Sequence, residues 1–190
     1  MNLRNLRRLA LIFGLLGAGM AGCSSDGGGG GTDAGGDTGG GGGGGGQAGI
    51  VINEVVVKAI ADASFNPTGS DWVELYNDGD AEVNLEGARI IDSKSKGFDE
   101  AVALPPGTKI PAKGYLVIYF NHDGAGSPVV DKGLSAKEAL TLFASDGAQL
   151  DQVDWKDGDA PEGKSWGRSP DGSTTFRTFD DPTPNKPNPA

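Results

Sequence analysis

The chain of 190 residues carries 16 basic and 26 acidic side chains, a formal net charge of −10, and a single cysteine and a single histidine. This length suits one ordinary domain, and the lone cysteine and lone histidine exclude a disulfide framework and a cysteine-built or histidine-rich metal centre. The excess of acid argues against binding nucleic acid or anionic headgroups through charge.

The N-terminus has the pattern of an export signal. Arg4, Arg7 and Arg8 form a basic start, and an uncharged, apolar run follows at Leu9–Gly22. The run is shorter than the ~20 apolar residues that a membrane-spanning helix needs, and it has the length of a signal-peptide core. Residues 1–22 are therefore predicted to be a signal peptide that ends directly before Cys23.

The junction Met20-Ala21-Gly22-Cys23 resembles the lipobox of bacterial lipoproteins. The resemblance implies that Cys23 becomes the first mature residue and is lipidated, and two or more acyl chains give stable membrane anchoring. Ser24 after the cysteine implies sorting to the outer membrane of a bacterial cell envelope. The alternative is a plain secretory signal with an incidental cysteine.

Residues 23–49 are predicted to form a disordered tether between this anchor and a domain. Beyond the cysteine they are almost entirely Gly, Ser, Asp, Thr and Ala, with glycine runs at Gly27–Gly31 and Gly39–Gly46. Such a segment has no apolar surface to bury. A flexible coil of this length has an r.m.s. reach of roughly 25–30 Å, which holds the domain clear of the membrane.

Residues 50–190 are predicted to form one all-β sandwich, because short apolar or alternating runs recur between Gly, Pro and Asp turn signals. Helical spacing, of one or two turns at most, occurs only at Leu134–Leu140. The tail from about Asp180 contains four prolines, so it should lie extended along the surface or hang free. The seven predicted strands cover residues 50–58, 71–77, 83–92, 101–104, 114–120, 139–144 and 149–155.

Alternation along the second run predicts which side chains share a face of a sheet. Val73 and Leu75 fall on one side of the strand, while Trp72, Glu74 and Tyr76 fall on the other. One face of this strand is therefore expected to be purely aliphatic, and the opposite face to mix aromatic rings with a carboxyl group.

The order of the sequence blocks resembles a bacterial lamin tail domain. The blocks are VINEVV, DWVELYN, VNLEGARIID, LPPGTKIPAKGYLVI, GLSAKEALTLF, QLDQVDW, GRSPDG and PTPNKPN. The resemblance spans Ile52 to about Asn188 and implies an immunoglobulin-like β-sandwich. Two positions depart from the family: Ala88 replaces a usual Trp, and Asn185 replaces a usual Gly. Asn tolerates positive φ, so the second departure is mild.

Two catalytic motifs occur without the context that they need. Gly158–Ser165 fits the P-loop pattern, and Gly163–Gly167 fits the nucleophile elbow. Both require a following helix, which Gly167 and Pro170 oppose, and no histidine follows Ser165 to complete a triad. We interpret this region as a loop that connects strands.

Two titratable pairs remain as catalytic candidates. His122 and Asp123 are neighbours in a predicted loop, where a lone histidine is usually solvated. Glu54 and Glu74 lie on neighbouring predicted strands and form either a carboxylate pair with glycosidase-like acid chemistry or an ordinary pair of cross-strand polar residues.

Four acids near the end of the last predicted strand form a candidate calcium site: Asp151, Asp154, Asp157 and Asp159. Ca²⁺ takes six to eight oxygen ligands, and an Asp-rich loop with a glycine supplies several. The spacing does not match an EF-hand, and a solvated acidic loop is the alternative.

These observations favour a non-enzymatic, lipid-anchored envelope protein that displays a lamin-tail sandwich as a protein-interaction or adhesion module. The expected partners are the membrane, through the anchor, and an unidentified protein or glycan; neither nucleic acid nor a cofactor other than Ca²⁺ is expected. Two alternatives stay open. One is a Ca²⁺-dependent binder of carbohydrates or surfaces, and the other, implied by the family resemblance, is an accessory domain to a separate hydrolase.

Overall fold

The computed structural model describes residues 47–66, 68–95, 97–120 and 128–190. Across these ranges the fold is all-β, as predicted, and no helix in them is long and apolar enough to cross a membrane. The strands are β1 Ile50–Val56, β2 Trp72–Asn77, β3 Val83–Asn84, β4 Arg89–Asp92, β5 Val102–Ala103, β6 Lys109–Ile110, β7 Tyr115–Phe120, β8 Val129–Val130, β9 Glu138–Phe143, β10 Gln149–Trp155, β11 Ser165–Arg168 and β12 Phe176–Phe179, with a 3₁₀ turn at Phe98–Glu100.

The strands form two main sheets. The larger has the order β12-β11-β1-β2-β7-β8, and the smaller has the order β10-β9-β4-β5; β3 and β6 pair separately. The pairs are antiparallel except β7 with β8. Aliphatic side chains of both sheets, among them Ile52, Leu75, Ile90, Leu140 and Leu142, form one buried cluster. The β-sandwich is therefore confirmed.

The seven predicted runs all contain strands, but three details of the prediction are wrong. The run 83–92 is split into β3 and β4 by a turn in which Gly87 has φ 73°. The helical spacing at Leu134–Leu140 forms no helix, because β9 begins at Glu138 and pairs with β4 and β10. The strands β6, β8, β11 and β12 were not predicted.

A β-bulge in β1 decides which side chains face outward. Ile52 is opposite Leu75, but the next pair is Glu54 with Glu74, so Asn53 is an extra residue. The bulge lets Ile52 enter the core while Glu54 joins the opposite face. Along β2 the predicted alternation is confirmed: Val73 and Leu75 belong to the core cluster, whereas Trp72 belongs to a separate cluster.

The proline-rich tail does not hang free. After β12 it folds back over the side of the larger sheet that faces away from the smaller sheet, which we call the outer face. Asn188 is buried there, and its amide Nδ2 donates to the backbone oxygen of Arg168 at 2.8 Å. Asn185 has φ 59°, so the positive φ expected where the family usually has glycine is confirmed.

Candidate functional site

Two carboxyl groups are buried side by side on the outer face. Glu54 on β1 is directly opposite Glu74 on β2, and each residue is 0% exposed. The tail covers them: the Thr183 N–H donates to Glu54 Oε1 at 3.0 Å, and the Asn185 N–H donates to Glu74 Oε2 at 2.5 Å. The predicted pairing of the two glutamates is therefore correct, but they lie beneath a cover rather than on an open surface.

Burial changes the acidity of both groups. Desolvation is the main reason why the pKa of Glu74 rises to about 9. The hydrogen bond from the Asn185 N–H favours the charged form and lowers this pKa, whereas the negative charge of Glu54 raises it. Desolvation also raises the pKa of Glu54, although the hydrogen bonds from the Thr183 N–H and hydroxyl oppose the rise. Glu74 is therefore protonated at neutral pH. Among the described residues, its Oε1 has no hydrogen-bond partner.

Asp171 links this pair to the rest of the outer face. It accepts hydrogen bonds from the Tyr115 hydroxyl at 2.5 Å, from Asn53 Nδ2 at 2.8 Å and from the Asn188 N–H at 2.9 Å. Burial, with the hydrogen bond to Asp171 as a second cause, raises the pKa of Tyr115. The charge of Asp171 adds to the negative potential at Glu54 and Glu74.

An aromatic cluster lies beside the glutamates. Trp72, Tyr119 and Val56 pack together, and Phe65 meets Trp72 edge-to-face with 5.7 Å between ring centroids. The Tyr119 hydroxyl donates to the Phe65 backbone oxygen at 2.7 Å, which fixes the loop that carries Phe65 and Ile60.

A cleft of about 260 Å³ opens above this cluster. Its lining includes Ile60, Phe65 and Trp72 on one side and Pro182 and Pro184 of the tail on the other. Ile60 is 67% exposed, the highest value among the large hydrophobic side chains that the structure describes. The cleft therefore presents apolar surface to solvent beside the carboxyl pair.

One segment of the tail serves both features. This segment is Pro182–Asn188, which we call the strap. In its first four residues, Pro182 and Pro184 line the cleft, whereas Thr183 and Asn185 donate hydrogen bonds from their N–H groups to the buried glutamates. Proline has no N–H to donate, so this alternation follows from the sequence Pro-Thr-Pro-Asn. The strap is at once a wall of the cleft and the cover of the carboxyl pair.

The four acids of the predicted calcium site do not converge. Asp151 accepts two hydrogen bonds from Arg168 Nη2, at 3.0 and 2.8 Å, and one from the Ile52 N–H at 2.7 Å. Asp159 accepts from the Lys156 N–H at 2.8 Å, while Asp154 and Asp157 are exposed. Within the described ranges, no group of three or more Asp, Glu, His or Cys side chains is placed to hold a metal ion.

The P-loop and nucleophile-elbow motifs are not followed by the helix that their chemistry requires. Residues 156–164 connect β10 to β11, and Ser165 begins a strand opposite Phe179 rather than a helix. Ser165 is 0% exposed. The interpretation as a connecting loop is correct up to Lys164. The remaining candidates, Cys23, His122 and Asp123, lie outside the described residues, as do the signal peptide and most of the tether.

Sequence reasoning missed the residues that close the outer face. Asp171 lies in the block GRSPDG, and Thr183, Asn185 and Asn188 lie in the block PTPNKPN. Both blocks were part of the family resemblance, but a polar residue in a loop gives no sign of the distant carboxyl group that it will contact.

The comparison with known families agrees with the fold. A model of the Lamin Tail Domain matches residues 45–157, which is more than half of the chain, and no curated protein matches. The matched segment contains β1 to β10; the strands β11 and β12 and the strap follow it.

Proposed function

Because the chain belongs to the lamin tail domain family, we propose that it is a non-enzymatic, lipid-anchored envelope protein that displays its β-sandwich as a protein-interaction or adhesion module. The lamin tail domain is a non-catalytic, immunoglobulin-like domain, and such a fold is compatible with a role in protein interactions. The lipid anchor at Cys23 and the adhesive role are the parts that we add.

The observation that carries this proposal is the position of the cleft relative to the start of the domain. Gln47, where the tether joins, bonds to the Asn84 and Ser145 backbones near the beginning of β1. The cleft is lined by Val56, the last residue of β1, and by the loop that follows. Seven residues of strand separate the two ends by about 20 Å. A domain tethered at Gln47 would thus carry its exposed apolar surface at the end of β1 opposite to the tether, where the tether leaves it accessible to a partner.

The calcium-dependent alternative has less support. A site built on Asp151 would compete with Arg168, which already binds both oxygens of that carboxylate. The accessory-domain alternative requires a separate hydrolase and predicts no particular feature of this chain.

Metabolic labelling with palmitate tests the anchor. Wild-type protein should incorporate label and fractionate with the outer membrane, whereas Cys23→Ala should lose the label and accumulate as precursor or soluble protein. Ser24→Ala, which changes the neighbouring residue, serves as the matched control and should be labelled normally. Unchanged labelling of Cys23→Ala would refute the assignment.

In-cell crosslinking tests the interaction surface. Ile60→Asp places a charge at the cleft, and Val129→Asp places the same charge at the other exposed large hydrophobic side chain, which is 36% exposed. We expect crosslinks to envelope partners in the wild type and in Val129→Asp, and their loss in Ile60→Asp. Equal crosslinking in all three proteins would contradict a role for the cleft.

A further inference from the structure

The strap has the features of a movable wall. It is held to the outer face by hydrogen bonds of Thr183, Asn185 and Asn188 rather than by pairing as a strand. Residues 182–184 are half-buried and residues 185–187 are exposed, so little apolar area holds the segment in place. Asn188 fixes its far end, where the side chain is buried and bonded to the Arg168 and Asn53 backbones.

We propose that the strap is a pH-sensitive latch: it closes one wall of the cleft while the Glu54–Glu74 pair carries at most one negative charge, and it lifts from the outer face when both carboxyl groups ionise. This inference goes beyond the proposed function and does not depend on the lipid anchor.

The register of the strands explains why a second charge is costly. Residues directly opposite each other in antiparallel strands have Cβ atoms about 4.5–5.5 Å apart, and like charges at such positions are destabilising. Both side chains are buried, so water screens their repulsion poorly. The N–H groups of the strap favour the charged form of each carboxyl group, but desolvation is the larger effect on both, and the strap contributes to it by covering them. Removing this cover is the nearest way to hydrate two carboxylates, because β1 and β2 themselves are central strands of the sheet.

Among the residues that the structure describes, the groups around the pair do not supply a compensating positive charge. Asp171, from the loop between β11 and β12, is a further acid. Arg168 on β11 directs its guanidinium to Asp151, and Lys186 in the strap is exposed. On β7 and β2, Tyr115 and Tyr76 are phenols that burial keeps neutral, since it raises the pKa of both.

Lifting the strap would remove part of the lining of the cleft. Pro182 and Pro184 form one side of it, and the floor beneath is the buried cluster of Trp72, Val56 and Tyr119. An open strap would therefore widen the cleft and expose Trp72, which is 2% exposed in the closed state. The protonation of Glu74 would set how much apolar surface the module presents.

The test follows Trp72 and the strap amides in the full chain as the pH rises from 6 to 10. Incorporated 5-fluorotryptophan, assigned by Trp72→Phe, reports the solvent exposure of each indole, and ¹H–¹⁵N spectra report the Thr183 and Asn185 amides. We expect the Trp72 signal to become solvent-exposed between about pH 8 and 10, together with the two amides, while the core Trp155 signal stays unchanged. Glu74→Gln cannot ionise and should keep the strap closed at pH 10.

Two further proteins make the outcome decisive. Glu54→Gln removes the other charge of the pair and should also keep the strap closed, so it replaces Glu74→Gln if that variant fails to fold. Glu86→Gln changes an exposed glutamate and should open like the wild type. Protection of Trp72 in the wild type at pH 10, opening in both pair variants, or simultaneous exposure of Trp155 would each overturn the latch.

Discussion

The two faces of the six-stranded sheet are stabilised by different physical means. The inner face packs aliphatic side chains such as Val55, Val73 and Leu75 against the smaller sheet. The outer face buries Glu54 and Glu74 under the strap, and it depends on hydrogen bonds and on a retained proton. One sheet therefore combines a face held mainly by aliphatic side chains, which do not titrate, with a face whose stability depends on pH.

The largest effect is expected from removing the ion pair between the two sheets. In this pair Arg168 of β11 binds Asp151 of β10. Asp151→Ala leaves a buried guanidinium without its counter-ion, so the free energy of unfolding should fall by about 3–5 kcal/mol. Urea denaturation measures the loss. Asp154→Ala, an exposed acid on the same strand, should change it by less than about 0.5 kcal/mol; similar losses in the two variants would contradict the pairing.

A cavity in the aliphatic part of the inner face should cost nearly as much. Leu75 is 0% exposed in the core cluster, and Leu75→Ala should lower the free energy of unfolding by about 2–5 kcal/mol. Because neither leucine nor alanine has a titratable side chain, the loss in the free energy of unfolding should be the same at pH 5 and pH 9. A loss that varied strongly with pH would show that the two faces are not independent.

A larger side chain at Gly167 would disturb the packing of the outer face near Asn188. A Cβ atom there would lie 2.8 Å from the Asn53 backbone oxygen and 2.9 Å from Asn188 Nδ2. Gly167→Ala should therefore destabilise the domain by about 1–3 kcal/mol and weaken the far end of the strap. Gly133→Ala, where an added Cβ meets nothing within 4 Å, is the matched control. Calorimetry that found equal melting temperatures for the two variants would speak against close packing at Asn188.

The pH dependence of stability should come from the outer face. The pKa of Glu74 is about 9 in the folded chain and near 4.5 in the unfolded chain, so the folded state binds the extra proton between these values. This contribution is fully present below about pH 4.5 and is lost as the pH rises toward 9, at up to about 1.4 kcal/mol per pH unit for one group. Glu74→Gln should flatten this slope in denaturant titrations at pH 5 to 9. An unchanged slope would place the dependence elsewhere.

The smallest expected effect concerns Ca²⁺. The structure does not bring Asp151, Asp154, Asp157 and Asp159 together, so millimolar CaCl₂ should raise the melting temperature no more than NaCl of equal ionic strength. A calcium-specific rise that Asp157→Asn removed would restore the predicted site.

The sequence allowed the sandwich and much of the inner face to be predicted because their signals are local. Alternation in DWVELYN assigned Val73 and Leu75 to one side, and it placed Glu74 on the other side as a neighbour of Glu54. The burial of that pair was not predictable in this way, since the cover comes from residues more than 100 positions later in the chain. The strand β11 was missed for the same reason: SWGR is short, contains a glycine, and extends only by pairing with distant β1 and with β12.

The extra residue Asn53 gives β1 a side chain that the regular ladder does not need. With Asn53 present, Ile52 and Val55 both enter the aliphatic core although two residues lie between them. Deleting Asn53 would restore simple alternation, so Glu54 would stay on the outer face and Val55 in the core. The deletion would instead remove the amide that donates to Asp171 and accepts from the Gly172 N–H. The bulge therefore acts as a bracket that holds the loop between β11 and β12 against the outer face.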